Sequence, residues 1–133
     1  MVKTSFAGLI CLLSACTTSR GIIQKALDQG EILYITVEKY EADKYPSSEY
    51  NVSIAEISEN VFELHMEAPE VEEVYYIPIE KLPLLLEMEH SFKDLESKHA
   101  PPYYQVSVET DHSKRKYHIN TDLIMDFITA LED

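Results

Sequence analysis

The chain has 133 residues, and 24 acidic side chains against 11 lysines and arginines give it a formal net charge of −13. That length accommodates one ordinary domain, and a hydrophobic fraction of 45% is typical of a folded chain rather than a disordered one. The acidic excess argues against a nucleic-acid partner, because phosphate backbones attract positively charged surfaces. It favours a basic partner, a cation or simple solubility.

A short apolar run near the N-terminus ends in a cysteine. The eight residues from Phe6 to Leu13 are too few to span a hydrocarbon core of about 30 Å as a helix. The run ends in Leu13-Ser14-Ala15-Cys16, which resembles the lipobox of bacterial lipoproteins. Ordinary signal-peptidase cleavage after Ala15 fits less well, because bulky Leu13 would stand where a small residue is expected.

The resemblance implies a lipid-anchored protein. Residues 1–15 would be removed as a signal peptide, and Cys16 would carry diacylglycerol on its sulfur and an acyl chain such as palmitate on its amino group. Two or three acyl chains anchor a domain stably, whereas a single chain binds only marginally. Thr17 stands where an inner-membrane retention signal usually has Asp, so the outer membrane is favoured, with the domain facing the periplasm or the exterior. The alternative is a plain secreted precursor, in which Asn51-Val52-Ser53 would become a glycosylation acceptor.

This processing would leave the folded part without a free thiol, because Cys11 departs with the signal peptide and Cys16 becomes the anchor. No disulfide, cysteine nucleophile or cysteine metal ligand is then available. Residues 16–21 would form the lipidated cysteine and a short tether. Residues 22–133 would form a single domain that depends on its hydrophobic core.

In the first half of the domain, the hydrophobic pattern predicts one helix followed by four strands. Helical spacing predicts a helix over 20–29, which Gly30 would end. Alternation with a period of two predicts strands over 31–41, 50–57, 61–68 and 71–79. The third strand alternates most clearly, with one face apolar and the other formed by Glu63, His65 and Glu67.

The second half is predicted to contain a helix, a hairpin and a final helix. The helix over 81–97 has Pro83 in its first turn, and Pro101-Pro102 would end it. Strands over 103–110 and 115–119 form the hairpin, and Asn120 or Thr121 would cap the last helix. The order αββββαββα predicts a single α+β domain, with an antiparallel sheet of about six strands and helices on one face.

Familiar catalytic and metal-binding motifs are absent from the sequence. After removal of the signal peptide only Gly21 and Gly30 would remain, too few for a phosphate-binding loop or a dinucleotide fingerprint, and neither GxSxG nor HExxH occurs. Glu70, Glu72 and Glu73 are as dense as calcium ligands, yet the glycine-containing loop of an EF-hand is missing. The sequence therefore predicts no enzyme, no cofactor and no resident metal.

The charge is distributed unevenly along the chain. No lysine or arginine occurs between Lys44 and Lys81, an interval that contains nine glutamates and three predicted strands. Tyrosines beside a field of one sign are typical of a protein-binding surface. A solvated face that discourages aggregation is the simpler interpretation of any single glutamate. The candidate partner-binding residues are Glu63, His65, Glu67, Glu70, Glu72, Glu73 and Tyr75.

Three functional hypotheses follow from these features. The first is a tethered acidic module that masks a basic protein, in the manner of inhibitors or immunity proteins, with complementary charge speeding the encounter. The second is an accessory or assembly subunit of a cell-envelope complex, held by apolar or tyrosine-rich surface. The third is a small enzyme or metal carrier. Lys114-Arg115-Lys116 form a short basic segment that is expected in an exposed turn, or in contact with anionic lipid or the protein's own acids.

Overall fold

The structure is a computed structural model in which the described residues are 21–42, 44–95, 97 and 99–132. The predicted signal peptide, the lipobox cysteine Cys16 and the tether as far as residue 20 lie outside the described residues. Within those ranges, no helix is long and apolar enough to cross a membrane.

The elements follow the order αββββαββα, which confirms the predicted α+β class. Their bounds lie within a few residues of the predicted ones. The elements are α1 (Ile22–Asp28), β1 (Leu33–Tyr40), β2 (Ser48–Ser58), β3 (Val61–Ala68), β4 (Val71–Ile77), a 3₁₀ turn (Ile79–Lys81), α2 (Leu82–Asp94), β5 (Tyr103–Glu109), β6 (Lys114–Ile119) and α3 (Leu123–Leu131).

The strands form one six-stranded sheet in the order β4-β3-β2-β1-β5-β6. Every neighbouring pair is antiparallel. The first four strands form a meander, and α2 then carries the chain across the sheet so that β5 pairs with the free side of β1. As a result β4 and β6 are the two edge strands.

One face of the sheet is apolar and packs against the helices. Strand side chains alternate between faces, so each strand contributes every second residue to this core. Buried residues of all three helices join the same cluster as the inward residues of the strands. The fully buried members include Leu33, Ile35, Ile54, Leu64, Ile77, Phe92, Tyr117 and Ile124.

Two local details differ from the sequence-based expectation. Strand β4 ends at Ile77 because Pro78 has no N–H with which to continue the ladder. The predicted caps of α3, Asn120 and Thr121, are wrong: the carboxylate of Asp122 accepts the Met125 N–H at 3.0 Å.

A buried carboxylate holds the start of α1 against α2. The Ile23 N–H donates to both carboxylate oxygens of Glu89, at 3.1 and 3.2 Å. This N–H belongs to the first turn of the helix, where no intrahelical acceptor exists. A Cβ atom at Gly21 would collide with the same carboxylate, so a glycine allows the chain to approach α2 closely at this point.

Candidate functional site

The face of the sheet opposite the helices is open, since no helix within the described ranges packs against it. Strand register arranges its side chains in rows that cross all six strands. One row contains Glu72, Glu67, Asn51, Thr36, Ser107 and Lys116. The next contains Val74, His65, Ser53, Tyr34, Glu109 and Lys114. We call this surface the open face.

Charge is distributed unevenly across the open face. On this face, strands β2, β3 and β4 carry no charged side chains other than glutamates, apart from His65. We call the four glutamates, Glu49, Glu63, Glu67 and Glu72, the acidic half. Lys114 and Lys116 lie on the opposite edge strand. Five strand spacings separate β4 from β6, a distance of about 24 Å. A partner that covers the acidic half therefore needs no contact with these two lysines.

A shallow concavity of about 440 Å³ lies in the middle of the open face. Its floor consists of small polar side chains, among which the Thr36 hydroxyl donates to Asn51 Oδ1 at 2.8 Å. Tyr34 stands at its side with 48% of the residue exposed, and His65 and Glu67 line the acidic side. A tyrosine beside a polar hollow offers flat contact area with little loss of side-chain entropy on binding.

His65 makes a side-chain contact with Glu72 of the acidic half. Its Nε2 lies 2.7 Å from Glu72 Oε2, across β3 and β4. Both side chains are substantially exposed, so the pair contributes little to stability. The contact instead fixes the position of the Glu72 carboxylate over the open face.

An aromatic stack closes one end of the open face. The rings of Tyr40 and Tyr103 lie parallel with their centroids 5.1 Å apart, and His118 packs on Tyr103 at 5.0 Å. Partial burial, and after it the charge of Glu38, raises the pKa of Tyr40. Glu38 in turn accepts a hydrogen bond from Gln105 Nε2 at 2.9 Å. This end is therefore committed to internal contacts.

The structure divides the predicted partner-binding residues among three places. Glu63, His65, Glu67 and Glu72 lie together on the open face. Glu73 and Tyr75 lie on the helix side of β4, where the Tyr75 hydroxyl donates to Glu73 at 2.5 Å. That hydrogen bond raises the pKa of Tyr75 to about 12. Glu70 lies in the exposed turn between β3 and β4.

The other side chains of the open face carried no functional signal in the sequence. Alternation puts Tyr34 and Thr36 on the same face of their strand, but nothing in the pattern places them beside Asn51, Ser53 and His65. Glu109 was missed because the pairing of β5 with β1 depends on a crossover through α2. Register between distant strands is decided by packing of the whole core, so the alternation signal alone could not find these residues.

The edge strand β4 adds apolar surface to the acidic half. Val74 and Tyr76 lie on the open face, exposed by 49% and 61%, whereas Val71, exposed by 46%, lies on the helix side at the start of the strand. The other edge strand carries Lys114 and Lys116, charges of a kind that discourage edge pairing. Strand β4 has no lysine, so only glutamates discourage another strand from pairing with its outer edge.

The described residues contain no group of three or more His, Cys, Asp or Glu side chains placed to hold a metal ion. No family model, no curated protein and no solved structure matches the chain. The chemistry available to the open face is therefore argued from its own side chains. It offers an array of carboxylates with exposed tyrosines and valines, which suits the binding of a cationic surface.

Proposed function

We propose that this chain is a binding module that holds a basic protein on the acidic half of its open face. The observation that carries the proposal is the uncovered face of β2, β3 and β4, where four glutamates share the surface with exposed Tyr76, and exposed Tyr34 lies on the neighbouring strand β1. Strands β2, β3 and β4 contain no lysine or arginine.

Electrostatics gives this surface a preference among partners. A field of one sign attracts an oppositely charged protein during diffusion and disfavours acidic competitors. Because rim charges contribute mainly to the rate of encounter, lasting affinity has to come from buried contacts. Tyr34 and Tyr76 are suited to supply those contacts, since tyrosine is enriched at the energetic centres of interfaces.

The resemblance to a lipobox supports a cellular location for this binding. An anchor at Cys16 would hold the domain on a membrane of the cell envelope, with the outer membrane favoured, facing the periplasm or the exterior. A tethered acidic module there would mask a basic protein as an inhibitor or immunity protein does.

An accessory subunit of an envelope complex is the second candidate function. It is favoured by the exposed apolar residues of the edge strand, Val71, Val74 and Tyr76. Contacts through these side chains would resist salt, whereas contacts through the glutamates would not.

Affinity capture separates the two functions. The full chain is immobilised and exposed to envelope extract and culture fluid of its source, and bound proteins are eluted at about 50 mM and then about 500 mM salt, a range that strongly screens surface charges. The proposed function predicts a basic protein released at the higher salt. A salt-resistant set of envelope proteins would instead indicate the accessory subunit.

Variants then test the surface. The test variant combines Glu63→Gln, Glu67→Gln and Glu72→Gln, and the control removes the same charge from exposed residues away from the open face, Glu80→Gln, Glu87→Gln and Glu132→Gln. Only the test variant should lose the captured protein. Equal retention by both folded variants would contradict the proposal.

A further inference from the structure

A second concave site lies on the helix side of the sheet, between α1 and the turn that joins β5 to β6. This cleft has a volume of about 320 Å³. Its polar lining consists of side chains from three separate parts of the chain, namely Lys25, Gln29, Glu31, Thr110, His112, Ser113 and Arg115.

The cleft gathers cations in a chain whose formal net charge is −13. Lys25 is in the last turn of α1, and Arg115 extends from β6 on the face opposite Lys114 and Lys116. Within the described ranges, neither Lys25 nor Arg115 forms an ion pair. They are therefore available to a ligand.

The one carboxylate in the cleft is already engaged. Glu31 Oε2 lies 3.0 Å from Nδ1 of His112, and the Glu31 side chain is only 12% exposed. The backbone around it is also ordered by hydrogen bonds, since Thr110 Oγ1 accepts the N–H groups of His112 and Ser113 at 3.2 and 3.1 Å. These hydrogen bonds order the turn that carries His112 and Ser113 at the edge of the cleft.

We propose that this cleft binds a phosphate group. A guanidinium can donate two parallel hydrogen bonds to phosphate oxygens, and an ammonium supplies a compact second charge. The Ser113 hydroxyl adds a neutral donor at the same place. The volume is at the small end of the range for ligand sites, about 300–1,000 Å³, so a single anionic group fits better than an extended molecule.

The phosphate can belong to a lipid headgroup or be free in solution. Ile22, which also lines the cleft, is six positions after Cys16. A fully extended chain of that length reaches at most about 20 Å, so an anchor at Cys16 would keep the cleft within reach of headgroups. This lipid source rests on the anchor in the proposed function, whereas the phosphate site itself does not.

Calorimetric titration of the full chain in non-ionic detergent with inorganic phosphate tests the site, with chloride matching the ionic strength. The test variant is Lys25→Gln with Arg115→Gln. The control, Lys114→Gln with Lys116→Gln, removes the same charge from the opposite face of the same strand. We expect the test variant to bind phosphate at least about tenfold more weakly, the effect of losing a charge-assisted bidentate contact. The control should change less than about twofold, because charges beyond the cleft are screened.

A second arm distinguishes the sources of phosphate. The full chain is reconstituted in nanodiscs of phosphatidylcholine, with or without phosphatidylglycerol, and amide hydrogen exchange is followed in 22–31 and 110–116. Protection that depends on phosphatidylglycerol and is lost only in the test variant assigns the headgroup. Phosphate binding without such protection assigns free phosphate.

Absence of phosphate binding in calorimetry, or an equal loss in both double variants, would overturn the phosphate site. Neither result bears on the open face, whose test uses a protein partner and glutamate variants. Failure of the two proposals is therefore distinguishable.

Discussion

The Tyr50 hydroxyl donates to both carboxylate oxygens of Asp122, at 2.7 and 2.8 Å, across 72 residues of sequence. The same carboxylate caps α3 by accepting the Met125 N–H. One side chain thus joins the centre of the sheet to the start of the last helix, and half-buried Tyr50 holds the helix on the face opposite the acidic half.

We expect Tyr50→Phe to lower the free energy of unfolding by about 1–3 kcal/mol, because a partly buried carboxylate loses a hydrogen-bond donor. Asp122→Ala should cost more, since the helix cap is lost as well. Urea unfolding of both variants and of the double variant measures the coupling. Tyr34→Phe, at an exposed hydroxyl, is the control and should change stability by less than about 0.5 kcal/mol. Additive effects of Tyr50→Phe and Asp122→Ala would contradict the contact.

Alkaline pH should destabilise the fold through Tyr50. Burial, and after it the charge of Asp122, raises the pKa of Tyr50 above its ordinary value. Below about pH 10, the pKa of a free phenol, both states keep the proton and the contribution to stability is complete. Above that pH the unfolded chain releases a proton that the folded chain retains, so stability falls as pH rises.

Thermal unfolding followed above pH 10 checks this effect. The decline in melting temperature should be less steep in Tyr50→Phe than in the natural chain. Tyr76→Phe removes an exposed phenol and should leave the decline unchanged. Identical slopes in all three proteins would rule out the assigned role of Tyr50.

Gly21 and Glu89 should act as a coupled pair. Gly21→Ala forces the Glu89 carboxylate away from the Ile23 N–H, so we expect a loss of about 0.5–2 kcal/mol, comparable to losing a helix cap. In a Glu89→Ala background the collision is gone, and Gly21→Ala should then cost much less. A double-mutant cycle in urea measures this difference. A full penalty in both backgrounds would show that the two residues do not interact.

The sequence predicted those parts of the fold that depend on local periodicity. Alternation in β1 and β3 correctly separated Leu33 and Leu64 from Thr36 and Glu63, but it left open which face of the sheet the helices cover. Asp122 was missed because Asn120, Thr121 and Asp122 are all favoured capping residues, and the sequence alone does not fix the residue at which the helix begins. The rows of the open face and the cleft beside α1 depend on which strands become neighbours. The strand order is decided by how α2 packs across the sheet, which no local pattern shows.

Substitutions on the exposed edge of β4 distinguish the two candidate functions. Val74→Ser with Tyr76→Ser removes apolar surface from the open face without changing its charge. An accessory subunit held by apolar contacts should lose its salt-resistant partners in this variant. A masking module should keep its salt dependence and bind more weakly, because Tyr76 would supply contact area. Retention of salt-resistant partners by the variant would exclude this edge as their docking surface.

The central claim is that the acidic half of the open face binds a basic protein. It is tested most directly by the dissociation constant of the captured partner at about 50 mM and about 500 mM salt, conditions that differ strongly in screening. The account predicts tight binding at low salt by the natural chain and by the control triple variant, with a marked loss in the variant Glu63→Gln, Glu67→Gln, Glu72→Gln. It also predicts that this variant has lost most of the salt dependence. Equal affinity and equal salt dependence in all three proteins would contradict the account.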